Sequence, residues 1–366
     1  MEMHSMKKAL AVFLSILMLL SVCAVGASAA SVGDSGTFSV FCYNVAGLPT
    51  IDFLTGGEDK DVMQNQIDIG RYVEEKGYDI FATQEDFGYH DNLVAQLTSY
   101  QYATQHHGGV PSGDGTNVFT KTYKMYNEKH IPWNTLAGLV EGGADEFSQK
   151  GITYVCIEIA DGVLVDFYDI HADAYGDEDS QAARLDNFTQ LKELIDSRTV
   201  DRPVIVTGDF NVYLLGGYDC GLKDLLIDEC GLKDSWVELY NNGNYTDASY
   251  YKSTVGGTLP DKWGNWDSVE RFLYKDGGGI HIDCTSFKYV DVMNRYNKSA
   301  SDHNAAEAMF SYTVTAESGD QGDLDSGHGT SNFQEFIRKI VAFFKALFLA
   351  FSNFDTIKEQ LQGYFS

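Results

Sequence analysis

The chain has 366 residues, 44% hydrophobic and 13% aromatic. At roughly 150 residues per domain, that is one large folded domain or two small ones, and it excludes a disordered chain. A formal net charge of −27 excludes unassisted adhesion to a polyanion, because phosphate backbones are held by clustered Lys and Arg. The excess carboxylates serve solubility or, gathered round one cleft, a divalent-metal site.

In chain order, Lys7 and Lys8 precede an apolar run from Ala9 to Val25, followed by the small residues Ala27, Ser28 and Ala29. That order predicts a secretory signal over residues 1–30, absent from the mature, exported protein. The apolar run is short for a membrane span. Export leaves Cys42, Cys156, Cys220, Cys230 and Cys284, an odd set in a Cys-poor chain, which excludes a disulfide scaffold. Cys220 and Cys230 form either a local bridge or two small hydrophobes, and the other three sit in apolar strand patterns as core residues.

Residues 31–315 read as one α/β domain. Strand patterns run over Gly36–Asn44, Ile80–Gln84, Thr153–Ile159, Val163–Ile170, Val204–Thr207, Arg271–Tyr274 and Ala306–Val314. Helical patterns fall near Met63–Lys76, Asp91–Thr98 and Gln181–Ser197. Stretches rich in Gly, Tyr, Asn and Asp, notably 100–150 and 240–266, read as loops that carry a site on a sheet scaffold; His106 and His107 lie in one, solvated or touching substrate. Residues 316–332, rich in Gly, Ser and Asp, read as a flexible linker. The tail 333–366 begins with Phe333, Phe336, Ile337, Ile340, Val341, Phe344, Leu347, Phe348 and Phe351 at helical spacing among Arg338, Lys339 and Lys345. This is an amphipathic helix whose apolar face needs a cover: the chain itself, a partner helix, or a membrane or cell surface.

The strand ends carry the chemistry. FCYN ends on Asn44, IFATQED delivers Glu85, VDFYDIHADA delivers His171 and Asp173, VIVTGDFN delivers Asp209 and Asn211, and SDHNAA delivers Asp302 and His303 ahead of the last strand. Each alone is an ordinary polar turn, but together they predict one cluster of carboxylates, amides and imidazoles at a sheet edge. Hard oxygens such as Glu85, aided by Asn44, suit Mg²⁺, with Ca²⁺ or Mn²⁺ as alternatives, and the Cys spacings give zinc no support. Phosphodiester hydrolysis fits this set: a metal neutralises phosphoryl oxygens, His303 is the base, Asp209 orients water, and Asn211 and His171 donate to the phosphate.

The Asn of YN, the Glu of TQED, GDFN and SDH, in this order across residues 37–314, resemble the endonuclease/exonuclease/phosphatase superfamily, which includes deoxyribonuclease I, inositol-polyphosphate phosphatases and neutral sphingomyelinases. The resemblance implies a four-layer α/β sandwich of two packed, mostly antiparallel sheets with a Mg²⁺-dependent site at one edge. It also implies Glu85 as principal metal ligand with Asn44 in support, His171 and Asn211 on the phosphate, Asp209 on the water, and Asp302 with His303 as the last element. The family places an Asp before the penultimate strand to orient the catalytic imidazole. Here SVERFLYK offers Glu270, with Asp267 and Asp283 as alternatives.

YNVAGLP, QEDFGYH, SQKGIT and DIHADA are more similar to secreted sphingomyelinase-like phosphodiesterases than to nucleases, and Lys150 supplies a positive charge near the leaving group. A phospholipid or sphingolipid headgroup is therefore the first substrate reading. A secreted deoxyribonuclease I-like nuclease is the second, and a surface-binding module that has lost catalysis is the third.

Overall fold

The computed structural model describes residues 30–48, 60–109, 113–137, 148–212, 219–245, 269–317 and 322–326. The expected signal segment up to residue 29, most of the expected linker, the Phe-rich tail and most of the 240–266 stretch, with Asp267, lie outside the described residues.

The elements in chain order are β1 (Ser35–Asn44), α1 (Lys60–Lys76), β2 (Ile80–Gln84), α2 (His90–Val94), β3 (Tyr102–Ala103), β4 (Asn117–Thr120), β5 (Lys124–Pro132), β6 (Gly151–Ala160), β7 (Val163–His171), α3 (Glu178–Asp196), β8 (Val204–Asp209), a π-helical segment (Leu222–Glu229), β9 (Lys233–Asp234), α4 (Ser235–Asn241), β10 (Glu270–Lys275), β11 (Ile280–Val290) and β12 (Ala305–Val314). They build two six-stranded sheets, in the orders β11-β12-β1-β2-β4-β3 and β5-β6-β7-β8-β10-β9. At the centre of each lies one parallel pair, β1 with β2 and β7 with β8; the other ladders are antiparallel.

The period of two along β1 sorts its side chains between layers. Phe38, Val40 and Cys42 enter the core between the sheets. Phe41 and Tyr43 turn the other way, onto Ile69 and Val73 of α1 and Leu93 of α2. A strand buried on both faces has no polar side to show, which is why SVFCY reads as a continuous apolar run. On the other sheet, Phe188, Leu191 and Ile195 of α3 pack onto the same core as Val204 and Val206 of β8. The layers are therefore helix, sheet, sheet, helix, the four-layer sandwich the motifs imply. Phe310 of β12 joins the sheets: it stacks on Phe38 at 5.6 Å and meets Phe272 and Tyr274 of β10 edge-on at 6.0 and 5.6 Å. Truncating such a buried ring to alanine costs about 3–5 kcal/mol.

Some expectations change. The 100–150 stretch holds three strands, β3 to β5. In β5 the charged Lys124, Glu128 and Lys129 break the alternation because it is an edge strand. The expected helix Asp91–Thr98 is only the five-residue α2. β11 was not anticipated, although Ile280, Ile282 and Cys284 alternate inward with exposed His281, Asp283 and Thr285. Cys220 and Cys230 are not joined by a disulfide, while Cys42, Cys156 and Cys284 are buried as expected. Within the linker, Asp325 exchanges hydrogen bonds with Asn127 on β5, 2.8 Å each, so this part of it lies against the sheet.

Candidate active site

Register decides what meets at the sheet edge. The parallel pair β1/β2 sets Asn44 beside Gln84, immediately before Glu85. The parallel pair β7/β8 sets His171 beside Asp209, and the antiparallel β10 sets its first residue, Glu270, on the other side of Asp209. The segment carrying His303 enters β12, which runs antiparallel to β1. Ends of parallel strands and beginnings of their antiparallel partners thus share one edge. There the Ser301 hydroxyl donates to the Asn44 carbonyl (2.7 Å) and accepts from the His303 backbone N–H (3.0 Å), tying the two segments together.

Asp209 is the hub. Its Oδ1 accepts from the Asn211 backbone N–H at 2.9 Å, and its Oδ2 accepts from Asn44 Nδ2 at 3.1 Å. The same Oδ2 lies 3.5 Å from His171 Nε2 and 3.9 Å from His303 Nε2. Asn44 Nδ2 also donates to Glu85 Oε1 at 3.0 Å, so three successive contacts join the Glu85 carboxylate to the His303 imidazole. Burial pushes the Asp209 carboxyl up to about 6 against the opposing pull of His303 and Lys150.

Glu270 reaches the imidazole: its Oε1 is 2.5 Å from His303 Nδ1, with the Glu270 side chain 1% exposed. Asp283 instead accepts from the Tyr274 hydroxyl at 2.9 Å. Burial alone would disfavour a charged imidazole, but Glu270 and Asp209 outweigh it and His303 is pushed up to about 10. His171 goes the opposite way. Burial, with the Lys150 and His303 charges, holds it well below the ordinary range, and its Nδ1 meets no partner among the described residues. Two imidazoles in one site thus have opposite protonation preferences, a separation typical of acid–base centres.

Not every predicted residue joins in the expected way. Asn211 Nδ2 donates to the Ala172 carbonyl (3.0 Å), which Lys150 Nζ approaches at 3.4 Å. Asn44 presents its amide nitrogen, not its oxygen, to the two carboxylates, its Oδ1 accepting from the Ala46 N–H at 3.1 Å. Asp302 is exposed, and it bears on His303 through its charge. Sequence reasoning missed Asp169, buried between the sheets, where it accepts from Gln84 Nε2 at 2.6 Å and where burial holds its carboxyl well above the usual range. An acid at the inward phase of VDFYDIH, two residues before His171, was the available signal. His106 and His107 are not simply solvated: they stack on His90 and His130, with ring centroids 3.8 and 3.7 Å apart.

The backbone is strained here as well. Glu85, Asn211 and Ala46 hold positive φ (57°, 52° and 48°), which for side-chain-bearing residues persists only where surroundings enforce it. Gly208, at φ 137°, lets β8 approach β7, since a Cβ there would stand 2.0 Å from the Ile170 carbonyl oxygen.

A helix–sheet–sheet–helix sandwich with a buried acid, amide and imidazole cluster at one edge defines the class. The chain belongs to the Endonuclease/Exonuclease/phosphatase family, whose sequence pattern matches residues 42–303. It is similar to a sphingomyelinase of Mycobacterium bovis, 26% identical over 289 residues that cover 76% of this chain and 54% of that protein. The chain thus spans about half the length of the curated relative. Among solved structures, sphingomyelinase C from Streptomyces griseocarneus is similar at TM-score 0.51 and 18% identity, covering 75% of this chain and 99% of that one. D. rerio TDP2 complexed with a single-strand DNA product is similar at TM-score 0.53 and 14% identity, covering 75% and 99%. At such identities the two structures speak for the fold alone.

Proposed function

We propose that this chain is a secreted, divalent-cation-dependent phosphodiesterase that releases the headgroup of sphingomyelin or a related phospholipid by attack of water on phosphorus. The observation that carries the reading is Asp209, buried and shared among Asn44, His171 and His303, with Glu270 behind His303. The M. bovis sphingomyelinase supports the lipid substrate over other phosphodiesters. The sequence pattern of residues 1–30 supports secretion, and the Phe-rich face of 333–351 supports contact with a lipid surface.

The donor set fits a hard cation: Glu85 and Asp209 bring carboxylate oxygens to a single amide, Asn44. Glu85 would hold Mg²⁺ with Asn44 alongside. The ion would supply neutralisation of phosphoryl oxygens as charge builds. The chain's own residues do the rest. Asp209 orients the attacking water, and His303 Nε2, on the same side as Asp209 Oδ2, takes its proton. Glu270 holds the imidazole ring and stabilises the imidazolium that results. His171, kept neutral, donates a hydrogen bond without adding a charge, and Lys150 adds positive potential.

The test compares Mg²⁺-dependent release of phosphocholine from sphingomyelin vesicles with nicking of plasmid DNA. Release from lipid alone sustains the proposal. Nicking alone makes the chain a nuclease, and neither activity makes it a binding module.

A further inference from the structure

We propose that Asp86, His90 and His106 form a second cation site, of zinc class, distinct from the oxygen-rich site at Glu85. Each of the three offers a ligand atom, and these atoms lie within 4.8 Å of one another. Zinc bonds of roughly 2.1 Å set tetrahedral ligand atoms roughly 3.4 Å apart, so a small closure of the side chains would fill three of the four positions and leave the fourth to water. Two imidazoles with one carboxylate are the donors that Zn²⁺ prefers and Mg²⁺ does not.

The hydrogen bonding gives an independent reason. Asp86 Oδ2 is already engaged by His90 Nδ1 at 2.6 Å and Asn117 Nδ2 at 3.2 Å. Asp86 Oδ1 and Asn117 Oδ1, both in fully buried residues, meet no donor among the described residues. A buried acceptor without a donor is costly, and a cation held by Asp86 would remove that cost for its carboxylate. His106 is in place, its Nε2 2.8 Å from the Asp86 carbonyl and its ring nearly parallel to that of His90. His90 is 16% exposed, which leaves an ion a route from solvent.

The neighbouring set of His107, Asp114 and His130 makes an instructive contrast. There His130 places one ring nitrogen 2.6 Å from Asp114 and the other 3.0 Å from Glu128, so the imidazolium, with an N–H on each nitrogen, already serves both carboxylates. At Asp86 the account is unbalanced. Because Asp86 follows Glu85 directly, an ion at Asp86 would pin α2 and the His106 loop to the strained turn that presents Glu85. Its role would be to stabilise that turn.

The test uses the full-length chain, stripped with a chelator, dialysed against ZnCl₂ in excess Mg²⁺, desalted and assayed for metal. The wild type should retain zinc, and Co²⁺ in its place should give the visible bands of an imidazole-ligated ion. His90→Ala and His106→Ala should each weaken zinc binding by about tenfold or more, with circular dichroism reporting that the variants remain folded. Several results overturn the proposal: zinc displaced from the wild type by Mg²⁺, absence of the cobalt bands, retention in both variants, or loss on His130→Ala or Glu85→Gln instead. The cobalt spectrum needs no variant, so a misfolded mutant does not shield the idea.

Discussion

Replacing Glu270 with glutamine removes one charge and little volume from beneath His303. The carboxylate is 2.5 Å from Nδ1 with its side chain 1% exposed, so water does little to screen it. Opposite charges about 4 Å apart at an effective dielectric near 20 are worth about 4 kcal/mol, a factor of about 10³ in proton affinity. The rise of His303 from 6.5 to about 10 is the net of burial, which opposes it, and of Glu270, Asp209 and Asp302, which favour it. If the imidazolium formed during attack uses this stabilisation, Glu270→Gln should lower kcat for phosphocholine release by about 10²- to 10³-fold, and Glu270→Asp should recover part of it. The pH profile adds a second reading. A base must be deprotonated, so activity rises with pH through the His303 titration, and loss of Glu270 should move that limb to lower pH. Stability has its own sign. A folded pKa above the unfolded value of ~6.5 contributes fully below pH ~6.5 and is lost as pH rises through about 10. The thermal-stability gap between wild type and Glu270→Gln should therefore be widest near pH 6 and close above pH 10. A folded Glu270→Gln enzyme within threefold of wild-type kcat and with an unmoved pH limb would refute the assignment.

Glu85→Gln should raise the Mg²⁺ concentration for half-maximal activity by about tenfold or more in a metal titration after chelation, and an unchanged midpoint would place the cation elsewhere. In Gly208→Ala, the added Cβ would stand 2.0 Å from the Ile170 carbonyl oxygen at a φ of 137°. Urea unfolding should show a loss of about 2–4 kcal/mol, and a loss under 1 kcal/mol would mean the strands can part cheaply. His130 is disfavoured as a cation by burial, yet the Asp114 and Glu128 hydrogen bonds push it up to about 9. His130→Gln should therefore destabilise by about 3 kcal/mol near pH 6, with the difference fading between pH ~6.5 and 9; a pH-independent difference would mean the ring acts through packing alone.

Much of the site was legible in the sequence because polar residues at the ends of apolar strands are few and chemically distinctive. Asn44, Glu85, His171, Asp209 and His303 were found that way, and the structure joins them by direct or successive contacts. Glu270 was one of three carboxylates in sequence range of the role, and it is the antiparallel register opposite Asp209 that brings it to His303. The pairing of His106 with His90, and of His107 with His130, was invisible because stacking across a loop leaves no periodicity. Strand β5 was hidden for a related reason, since an edge strand tolerates charge on both faces and loses its alternation.

By itself the sequence determined the central strands of both sheets, because burial on both faces demands continuous apolar runs, and which chemistry their ends support, because ligand hardness and acid–base character belong to residue type. Only the tertiary structure decided which strand lies beside which. Protonation follows from that arrangement: His303 is favoured as the imidazolium and His171 as the neutral ring because of the charges that register and burial place around each. Those charges come from residues far apart in the chain, and no local pattern encodes their distances.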